Sequence, residues 1–140
     1  MRDADAIAAL IFTYAERVDA GDLDGMAALF AHATYRSHVR EYAGADELAR
    51  VMKGRVILHE NGTPRTKHVT TNLIVDVTGD AATARSYFTV FQQTPDLPLQ
   101  PIVAGRYHDR FERVAGVWRF ADRLVLVDLA GDLSRHLRPA

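Results

Sequence analysis

The sequence of 140 residues contains no cysteine. This absence excludes disulfide bonds, thiolate metal sites and cysteine nucleophiles, and it is compatible with a reducing compartment. The sequence also lacks any apolar run near the 18 residues or so that a membrane-spanning helix needs. Its first ten residues, MRDADAIAAL, carry acidic side chains where a secretory signal would carry a basic stretch. We therefore expect a cytoplasmic protein that has no membrane partner.

The chain has little excess charge of either sign. Seventeen Lys and Arg against eighteen Asp and Glu give a formal net charge of -1. A balanced chain has no strong field with which to hold a polyanion, so nucleic acid is not an expected partner. A content of 48% hydrophobic and 25% charged residues is typical of a globular fold and excludes disordered and fibrous proteins. The length predicts a single domain over residues 1–140.

The first half of the chain has the periodicity of amphipathic helices. Apolar residues recur at steps of three and four, and Gly21 ends the first such stretch. Asp3 or Asp5 could cap the first helix, and Asp22 or Asp24 the second. The predicted elements are a helix over 5–18, a short helix after 22–24, a strand over 34–39 and a helix over 46–58.

From residue 65 onward, β-branched residues alternate with polar ones, which is typical of strands. The predicted strands cover 68–77, 82–93, 102–114 and 117–127. Two-residue turns at 79–80 and 115–116 favour antiparallel hairpins, and the proline-rich stretch 94–101 predicts a longer loop. The sequence therefore predicts an α+β fold, with three N-terminal helices packed on one face of a curved antiparallel sheet.

The alternation also predicts which side chains face the helices. In the strand over 102–114, Asp109 alternates with charged residues and is expected inside, where a carboxylate needs a partner or a function. In the last strand, Phe120 and Asp122 are expected to face inward and Arg123 outward, unless a β-bulge changes the phase.

No sequence motif of high specificity is present: there is no GxGxxG, P-loop, HExxH or nucleophile elbow. Three polar residues stand out instead. Asp19 ends the first helix, where the helix dipole should make its carboxylate more basic and favour a cationic partner such as imidazolium. His68 opens a strand and could act as a base if a carboxylate orients its other nitrogen. Arg123 could pair with Asp109 or bind a substrate oxyanion.

Other residues could complete a binding site. Tyr14 and Tyr35 could line a pocket and donate hydrogen bonds to a carbonyl. Asn72, four residues after His68, is expected on the same strand face and could donate to a substrate oxygen. Each candidate also has a structural interpretation, such as a helix-ending turn for Asp19 or an ordinary strand position for His68. No spacing places three metal ligands on one element, so no metal is expected.

The order of these segments resembles one known family. The residues that carry the resemblance are Tyr14-Ala15-Glu16-Arg17-Val18-Asp19-Ala20-Gly21-Asp22, Phe30, Tyr42-Ala43-Gly44, Lys67-His68-Val69-Thr70-Thr71-Asn72-Leu73, 105–113, Gly116-Val117-Trp118-Arg119-Phe120 and Arg123. The sequence is similar to the SnoaL-like, scytalone dehydratase-like branch of the nuclear transport factor 2-like superfamily. This resemblance covers nearly the whole chain and implies a cone-shaped α+β barrel around an apolar pocket.

The resemblance also implies roles for single residues. Scytalone dehydratase, bile acid dehydratase and lindane dehydrochlorinase share an aspartate–histidine pair, which Asp19 and His68 match. Arg123 matches an arginine that the dehydrochlorinase uses near its leaving group. Tyr14 stands where that enzyme has a lysine, so halide elimination is not supported. Limonene epoxide hydrolase carries an Asp-Arg-Asp set, which no three residues here match one by one.

Together these observations predict a cofactor-independent lyase (dehydratase) or isomerase. Its substrate would be a small hydrophobic cyclic carbonyl compound, with Asp19 and His68 as the general-base pair. One alternative is a non-catalytic ligand-binding or dimerisation module, and another is an epoxide hydrolase that uses Asp109 to activate water. We also expect a homo-oligomer, either a dimer or a trimer. Its contact surface would be the outer sheet face that carries Arg85, Tyr87, Arg106 and His108.

Overall fold

Along residues 1–139, which the computed structural model describes, the helices precede the long strands. The elements in chain order are α1 (Asp3–Asp19), α2 (Leu23–Ala28), β1 (Thr34–Arg36), β2 (Glu41–Ala43), α3 (Ala45–Arg55), β3 (Thr66–Thr78), β4 (Ala81–Thr94), β5 (Leu97–Val114) and β6 (Val117–Ala130). The predicted α+β class is confirmed, with three helices on one side of a curved sheet of six strands in this part of the chain.

The sheet has the strand order β2-β1-β6-β5-β4-β3 and is not closed into a barrel. Strands β3 to β6 form the predicted antiparallel meander. Strand β1, by contrast, runs parallel to β6, which makes the sheet mixed. No hairpin joins β1 to β6, so nothing in the connection requires them to be antiparallel. Strand β3 lies at one edge of the sheet, and α1 packs beside it.

Several predicted boundaries change. Neither Asp3 nor Asp5 caps α1: Arg2 is the N-cap, and both aspartates lie in the first turn, where the helix dipole favours acids. Asp22 caps α2 as predicted, because its side chain accepts a hydrogen bond of 2.8 Å from the Gly25 main-chain N–H. Strand β1 ends three residues earlier than predicted, and β2 has no counterpart among the predicted strands.

The predicted loop over 94–101 is wrong, because β5 begins at Leu97 and pairs with Thr94 across a tight turn. Up to residue 102, β5 has only β4 as a strand partner, since its pairing with β6 begins at Val103. Proline is tolerated in a strand that has one free edge. The prolines at 98 and 101 therefore fit within the strand and do not mark a loop.

The core lies between the helices and the inner face of the sheet. The inner face of α1 buries Ile7, Ile11 and Val18 against aromatic residues of the sheet. The rings of Phe30 and Phe120 stack with their centroids 4.6 Å apart. Complete burial of such side chains contributes roughly 1.5–3 kcal/mol each. This packing fixes the end of α1 relative to β3, which is where the candidate site lies.

A β-bulge changes the phase of β6. Arg110 pairs with Asp122 but Phe111 pairs with Phe120, so one extra residue of β6 is accommodated between these pairs. Asp122 is buried, but the prediction that it faces the helices is wrong: it is the strand neighbour of exposed Arg110 and binds Arg36 on the outer face. The residue after it, Arg123, turns into the core instead.

Candidate active site

Asp19 and His68 meet where the C-terminus of α1 reaches the edge strand β3. Asp19 Oδ1 lies 2.6 Å from His68 Nδ1 and also accepts a hydrogen bond of 2.8 Å from the Thr66 hydroxyl. Asp19 Oδ2 accepts the main-chain N–H of His68 at 2.8 Å. Because β3 has no strand neighbour on this side, the carboxylate satisfies a main-chain donor that the sheet leaves free. The contact therefore fixes both the strand and the imidazole ring.

The turn after Asp19 depends on a glycine. Gly21 has φ +78°, and a Cβ at this position would lie only 2.1 Å from the main-chain oxygen of Gly62. Only glycine allows both this backbone conformation and this close approach. Gly21 therefore helps to place the end of α1 against the loop that leads into β3.

The electrostatics of this pair settle which nitrogen carries the proton. The side chains of His68 and Asp19 are only 8% and 11% exposed. Burial alone would raise the pKa of Asp19, but the hydrogen bonds and charge of His68, with the bond from Thr66, hold it below its usual value. These contacts outweigh the helix dipole, so the expectation of a more basic Asp19 is wrong. An ionised carboxylate only accepts hydrogen bonds, so His68 Nδ1 carries the proton and Nε2 keeps its lone pair when the ring is neutral.

A groove between α1 and β3 gives access to this pair. Its volume is about 630 Å³, and it is lined by Phe12, Ala15, Glu16, Asp19, Ala20, Thr63, Lys67, His68 and Thr70. Phe12 is 44% exposed, so the α1 side of the groove presents an apolar surface to solvent. The resemblance implied one pocket that all candidates share. The groove lining contains Asp19 and His68 but not Tyr14, Tyr35 or Arg123.

The two candidate tyrosines lie on the core side of His68. The hydroxyl groups of Tyr14 and Tyr35 are hydrogen-bonded at 2.8 Å. The Tyr14 ring packs edge-to-face with the His68 ring at a centroid distance of 6.5 Å. Burial raises the pKa of Tyr35 well above its usual value, so its hydroxyl stays protonated. The protonated Tyr35 hydroxyl can therefore donate one hydrogen bond, either to Tyr14 or to another acceptor.

Arg123 forms a buried ion pair with Asp109. Arg123 Nε and Nη2 donate to the two Asp109 oxygens at 2.8 and 2.9 Å, and both side chains are fully buried. The guanidinium carbon also lies 3.7 Å from the centre of the Tyr107 ring and 4.4 Å from that of Tyr14. Burial alone would lower the pKa of Arg123, but the charge of Asp109 raises it above its usual value. The pairing that the sequence favoured is present, and only Nη1 lacks a hydrogen-bond partner among residues 1–139.

Asn72 does not share the face of His68. A bulge interrupts the pairing of β3 with β4 between Thr71 and Ile74, and Asn72 adopts φ +53° within it. The regular alternation of side chains along β3 therefore ends at Thr71. Asn72, the next residue, has an exposed side chain. The prediction that Asn72 lies beside His68 is wrong.

Two residues near the pair were missed by the sequence analysis. Thr66 holds Asp19 and could have been found, because it lies two residues before His68 on the same strand face. His136 follows β6, is buried, and places its ring 6.3 Å from the His68 ring. No periodicity marks its position. Within residues 1–139, no group of three His, Asp or Glu side chains could hold a metal ion.

Known protein families and solved structures include relatives of this chain. A family model described as a SnoaL-like domain matches residues 1–124. The chain belongs to the SnoaL-like family. No curated protein matches the sequence. No helix in the described part of this SnoaL-like chain is both long enough and apolar enough to cross a membrane.

Solved structures share the fold at low sequence identity, and the three described next come from Novosphingobium aromaticivorans. An NTF2-like protein with a cystatin-like fold is 22% identical over 89% of this chain and 81% of that chain, with a TM-score of 0.76. A protein named after scytalone dehydratase is 23% identical over all of both chains, with a TM-score of 0.71. A protein named as the beta subunit of an aromatic-ring-hydroxylating dioxygenase is 19% identical over 96% and 95%, with a TM-score of 0.73. These likenesses show the nuclear transport factor 2-like fold of the SnoaL-like chain.

The chemistry open to this SnoaL-like site follows from the His68 ring. A neutral imidazole whose Nδ1–H is bound to a carboxylate has one free basic nitrogen, Nε2, and gains stabilisation when it becomes protonated. The hydroxyl pair of Tyr14 and Tyr35 lies on the core side of this ring. The arrangement can therefore accept a proton at one place and donate a hydrogen bond at another.

Proposed function

We propose that this SnoaL-like protein is a cofactor-independent lyase or isomerase that acts on a small hydrophobic cyclic carbonyl compound. The observation that carries the proposal is the contact of 2.6 Å between Asp19 Oδ1 and His68 Nδ1 beside a groove. In a dyad of this kind the carboxylate orients the imidazole so that its other nitrogen can act as a base. Burial of both side chains supports the proposal, because the negative charge of a carboxylate acts more strongly on an imidazole when both groups are removed from water.

The proposed reaction begins with removal of a proton from the carbon next to the carbonyl. His68 Nε2 takes this proton, and the electron pair of the broken C–H bond moves to the carbonyl oxygen as an enolate. In a dehydration, the enolate re-forms the carbonyl while its C=C electron pair becomes the new double bond between the α- and β-carbons. The C–O bond of the β-hydroxyl breaks, and the proton on His68 leaves with the hydroxyl as water. In an isomerisation, the same proton returns to a different carbon. Neither step needs a cofactor.

Hydrogen bonding to the enolate is assigned to the tyrosine pair. Tyr14 and Tyr35 share one hydrogen bond in which either hydroxyl can be the donor, and Tyr14 packs against His68. A donor directed at the oxygen on which charge develops lowers the barrier most in a water-poor site. In this proposal Arg123 acts through Tyr14, whose ring it packs against, because its own guanidinium is held by Asp109.

The size and lining of the groove support a small apolar substrate. Its volume of about 630 Å³ lies within the range of about 300–1,000 Å³ that is usual for small-molecule sites. Phe12 and Ala15 give one apolar wall, whereas Lys67 and Thr70 lie on the strand side. A ring system can pack on the apolar wall beside His68. The proposal then requires its carbonyl to extend beyond the groove lining to the core side of the His68 ring, where the tyrosine pair lies.

The experiment that tests the proposal measures deuterium exchange at the α-carbon of 1-tetralone in D₂O by NMR. This readout reports proton removal even when the natural substrate is another ketone. We expect wild-type protein to accelerate exchange and His68→Ala to reduce the acceleration at least about 100-fold. His38→Ala, at an exposed histidine outside the groove, is the matched control. Equal rates for wild type and His68→Ala would contradict the proposal.

A second candidate function is a non-catalytic module that pairs with another subunit through its sheet. It is favoured by apolar side chains on the sheet that remain exposed, including Tyr87 at 52% and Leu129 at 70%. In this case a second copy of the chain would cover the outer face and the Asp19–His68 contact would be structural. Light scattering would detect a dimer or trimer, and Tyr87→Asp would shift this oligomer to the monomer.

Epoxide hydrolysis is not favoured, because Arg123 occupies both oxygens of Asp109.

A further inference from the structure

A second cavity lies on the outer face of the sheet, which points away from the helices. Its volume is about 390 Å³, and it shares no lining residue with the groove at Asp19 and His68. We call it the outer-face cavity. Its lining includes the basic residues Arg36, Arg85, His108 and Arg110. A ligand in this cavity would therefore occupy a site separate from the proposed active site.

The strand register brings three of these basic side chains together. Arg85 of β4 lies directly opposite His108 of β5. Arg110 lies two residues further along β5 and so points to the same face as His108. Residues at such a diagonal across two strands are about 7–8 Å apart, a distance that long side chains can span. All three side chains are exposed, so two guanidinium groups and one imidazole can converge on a ligand from solvent.

The guanidinium groups of Arg85 and Arg110 have no acidic partner. Neither forms an ion pair within residues 1–139. Asp122 lies opposite Arg110 in β6, but it accepts two hydrogen bonds, of 2.8 and 3.0 Å, from Arg36. It also accepts a hydrogen bond from the Thr34 hydroxyl. The charge of this carboxylate is therefore balanced by Arg36.

The other acidic residues of the lining leave an excess of positive charge. Asp109 is fully buried, and Arg123 binds both of its oxygens. Asp76 is exposed on β3, at the β3 side of the cavity. One carboxylate, that of Asp76, therefore faces the two guanidinium groups of Arg85 and Arg110. Like charges on neighbouring strands repel each other, and a bound anion would relieve this repulsion.

We propose that the outer-face cavity binds a phosphate group, either as the free ion or as part of a phosphate ester. A guanidinium group presents parallel N–H donors that match two phosphate oxygens, and a doubly charged phosphate matches two such groups. His108 adds a further donor, because an imidazole has at least one N–H in either protonation state. This inference does not rest on the function proposed for His68.

The test is a titration of ¹⁵N-labelled protein with inorganic phosphate at constant pH and ionic strength. We expect saturable shifts in the side-chain Nε–H signals of Arg85 and Arg110 and in the ring signals of His108. Acetate at the same ionic strength should shift them far less, because it carries one charge and two oxygens. A parallel titration with phenyl phosphate separates the two sources: tighter binding supports an ester, and equal or weaker binding supports the free ion.

Variants then assign the binding to these side chains. Arg85→Gln and Arg110→Gln should each weaken phosphate binding at least about tenfold, the effect of losing a hydrogen bond to a charged group. Arg50→Gln, at an exposed arginine of α3 outside the cavity, is the matched control and should bind as wild type. Asp76→Asn should strengthen binding about twofold or more, because it removes a negative charge beside the anion.

Thermal unfolding provides a second readout. Phosphate should raise the Tm of the wild type and of Arg50→Gln but not that of Arg110→Gln. Without phosphate, Arg110→Gln should be at least as stable as the wild type, since it removes repulsion from Arg85.

Several results would overturn the inference and leave the function proposed for His68 intact. One is the absence of a saturable shift at Arg85 and Arg110, as expected if a second copy of the chain covers this face. Another is an equal response to acetate. A third is wild-type phosphate affinity in both Arg85→Gln and Arg110→Gln. The wild-type titration decides the matter if either variant fails to fold.

Discussion

Asp19 holds His68 by two separate bonds, one from Oδ1 to the ring Nδ1 at 2.6 Å and one from Oδ2 to the main-chain N–H at 2.8 Å. Residues 49 positions apart thus form one rigid unit at the junction of α1 and β3. The strand cannot shift without moving the ring, and the ring cannot turn without losing the carboxylate. If His68 is the base that we propose, a ring fixed in this way needs little reorganisation before it accepts a proton.

The role of the carboxylate can be separated from that of the imidazole. Asp19→Asn keeps the shape but removes the charge that stabilises imidazolium and no longer fixes the Nδ1–H tautomer. We expect α-deuterium exchange of 1-tetralone to slow at least about tenfold. Thr66→Val removes one bond to Asp19 and should have a smaller effect. A variant Asp19→Asn with the wild-type exchange rate would show that the contact is structural only.

The groove predicts that an exposed apolar residue contributes to binding. Phe12 lines the groove beside His68, and Phe12→Ser should weaken the binding of 1-tetralone several-fold because it removes apolar contact area. Its stability should change little, since the side chain is partly exposed already. Val39→Ser, at another exposed apolar position, is the control. Equal affinities for the two variants in a fluorescence or NMR titration would show that ketones bind elsewhere.

The buried ion pair between Arg123 and Asp109 predicts a large effect on stability. Arg123→Met removes the cation and leaves a buried carboxylate without a partner, which costs about 3–5 kcal/mol in the free energy of unfolding. Arg106→Met breaks a similar but exposed pair with Asp128 and should have a far smaller effect. Urea denaturation measures both. If Arg123→Met lowers the free energy of unfolding no more than Arg106→Met does, the assignment of the Arg123–Asp109 pair to the core is contradicted.

The buried side chain of His136 should make the folded protein less stable in acid. Its pKa is about 4 in the folded chain against 6.5 as the ordinary value, so the unfolded chain binds a proton more readily between these values. Stability should therefore fall as the pH decreases from about 7 to 4, by about 3 kcal/mol for this group. The groups that act on it are His68, Asp19 and His59. His136→Phe should flatten this part of the pH–stability curve measured by urea denaturation, and an unchanged slope would contradict the assignment.

The sequence predicts the fold because the fold depends on simple periodic patterns, whereas the central contact was expected from the family resemblance. The heptad-like spacing of Ile7, Ile11 and Val18 and the alternation along β4 to β6 are strong enough to place helices and strands. Asp19 and His68 lie at the ends of such elements. The spacing of these residues does not show that they meet; the family resemblance implied the pair, and the packing of α1 against β3 brings the two side chains together.

Three features could not be predicted because no local pattern encodes them. Asn72 and Asp122 were given the wrong face, since a bulge in each strand shifts the alternation by one residue. His136 was missed, since hydrogen bonds from distant parts of the chain fix its segment. In each case long-range pairing decides the direction of the side chain.

The most direct test of the central claim is the ring spectrum of His68 in a long-range ¹H–¹⁵N experiment at neutral pH. In the neutral ring, we expect a protonated Nδ1, bound to Asp19, and an Nε2 with a free lone pair that responds to added 1-tetralone. A neutral ring with its proton on Nε2, or an Nε2 signal that ignores the ketone, would contradict the claim that His68 presents a base to a bound substrate.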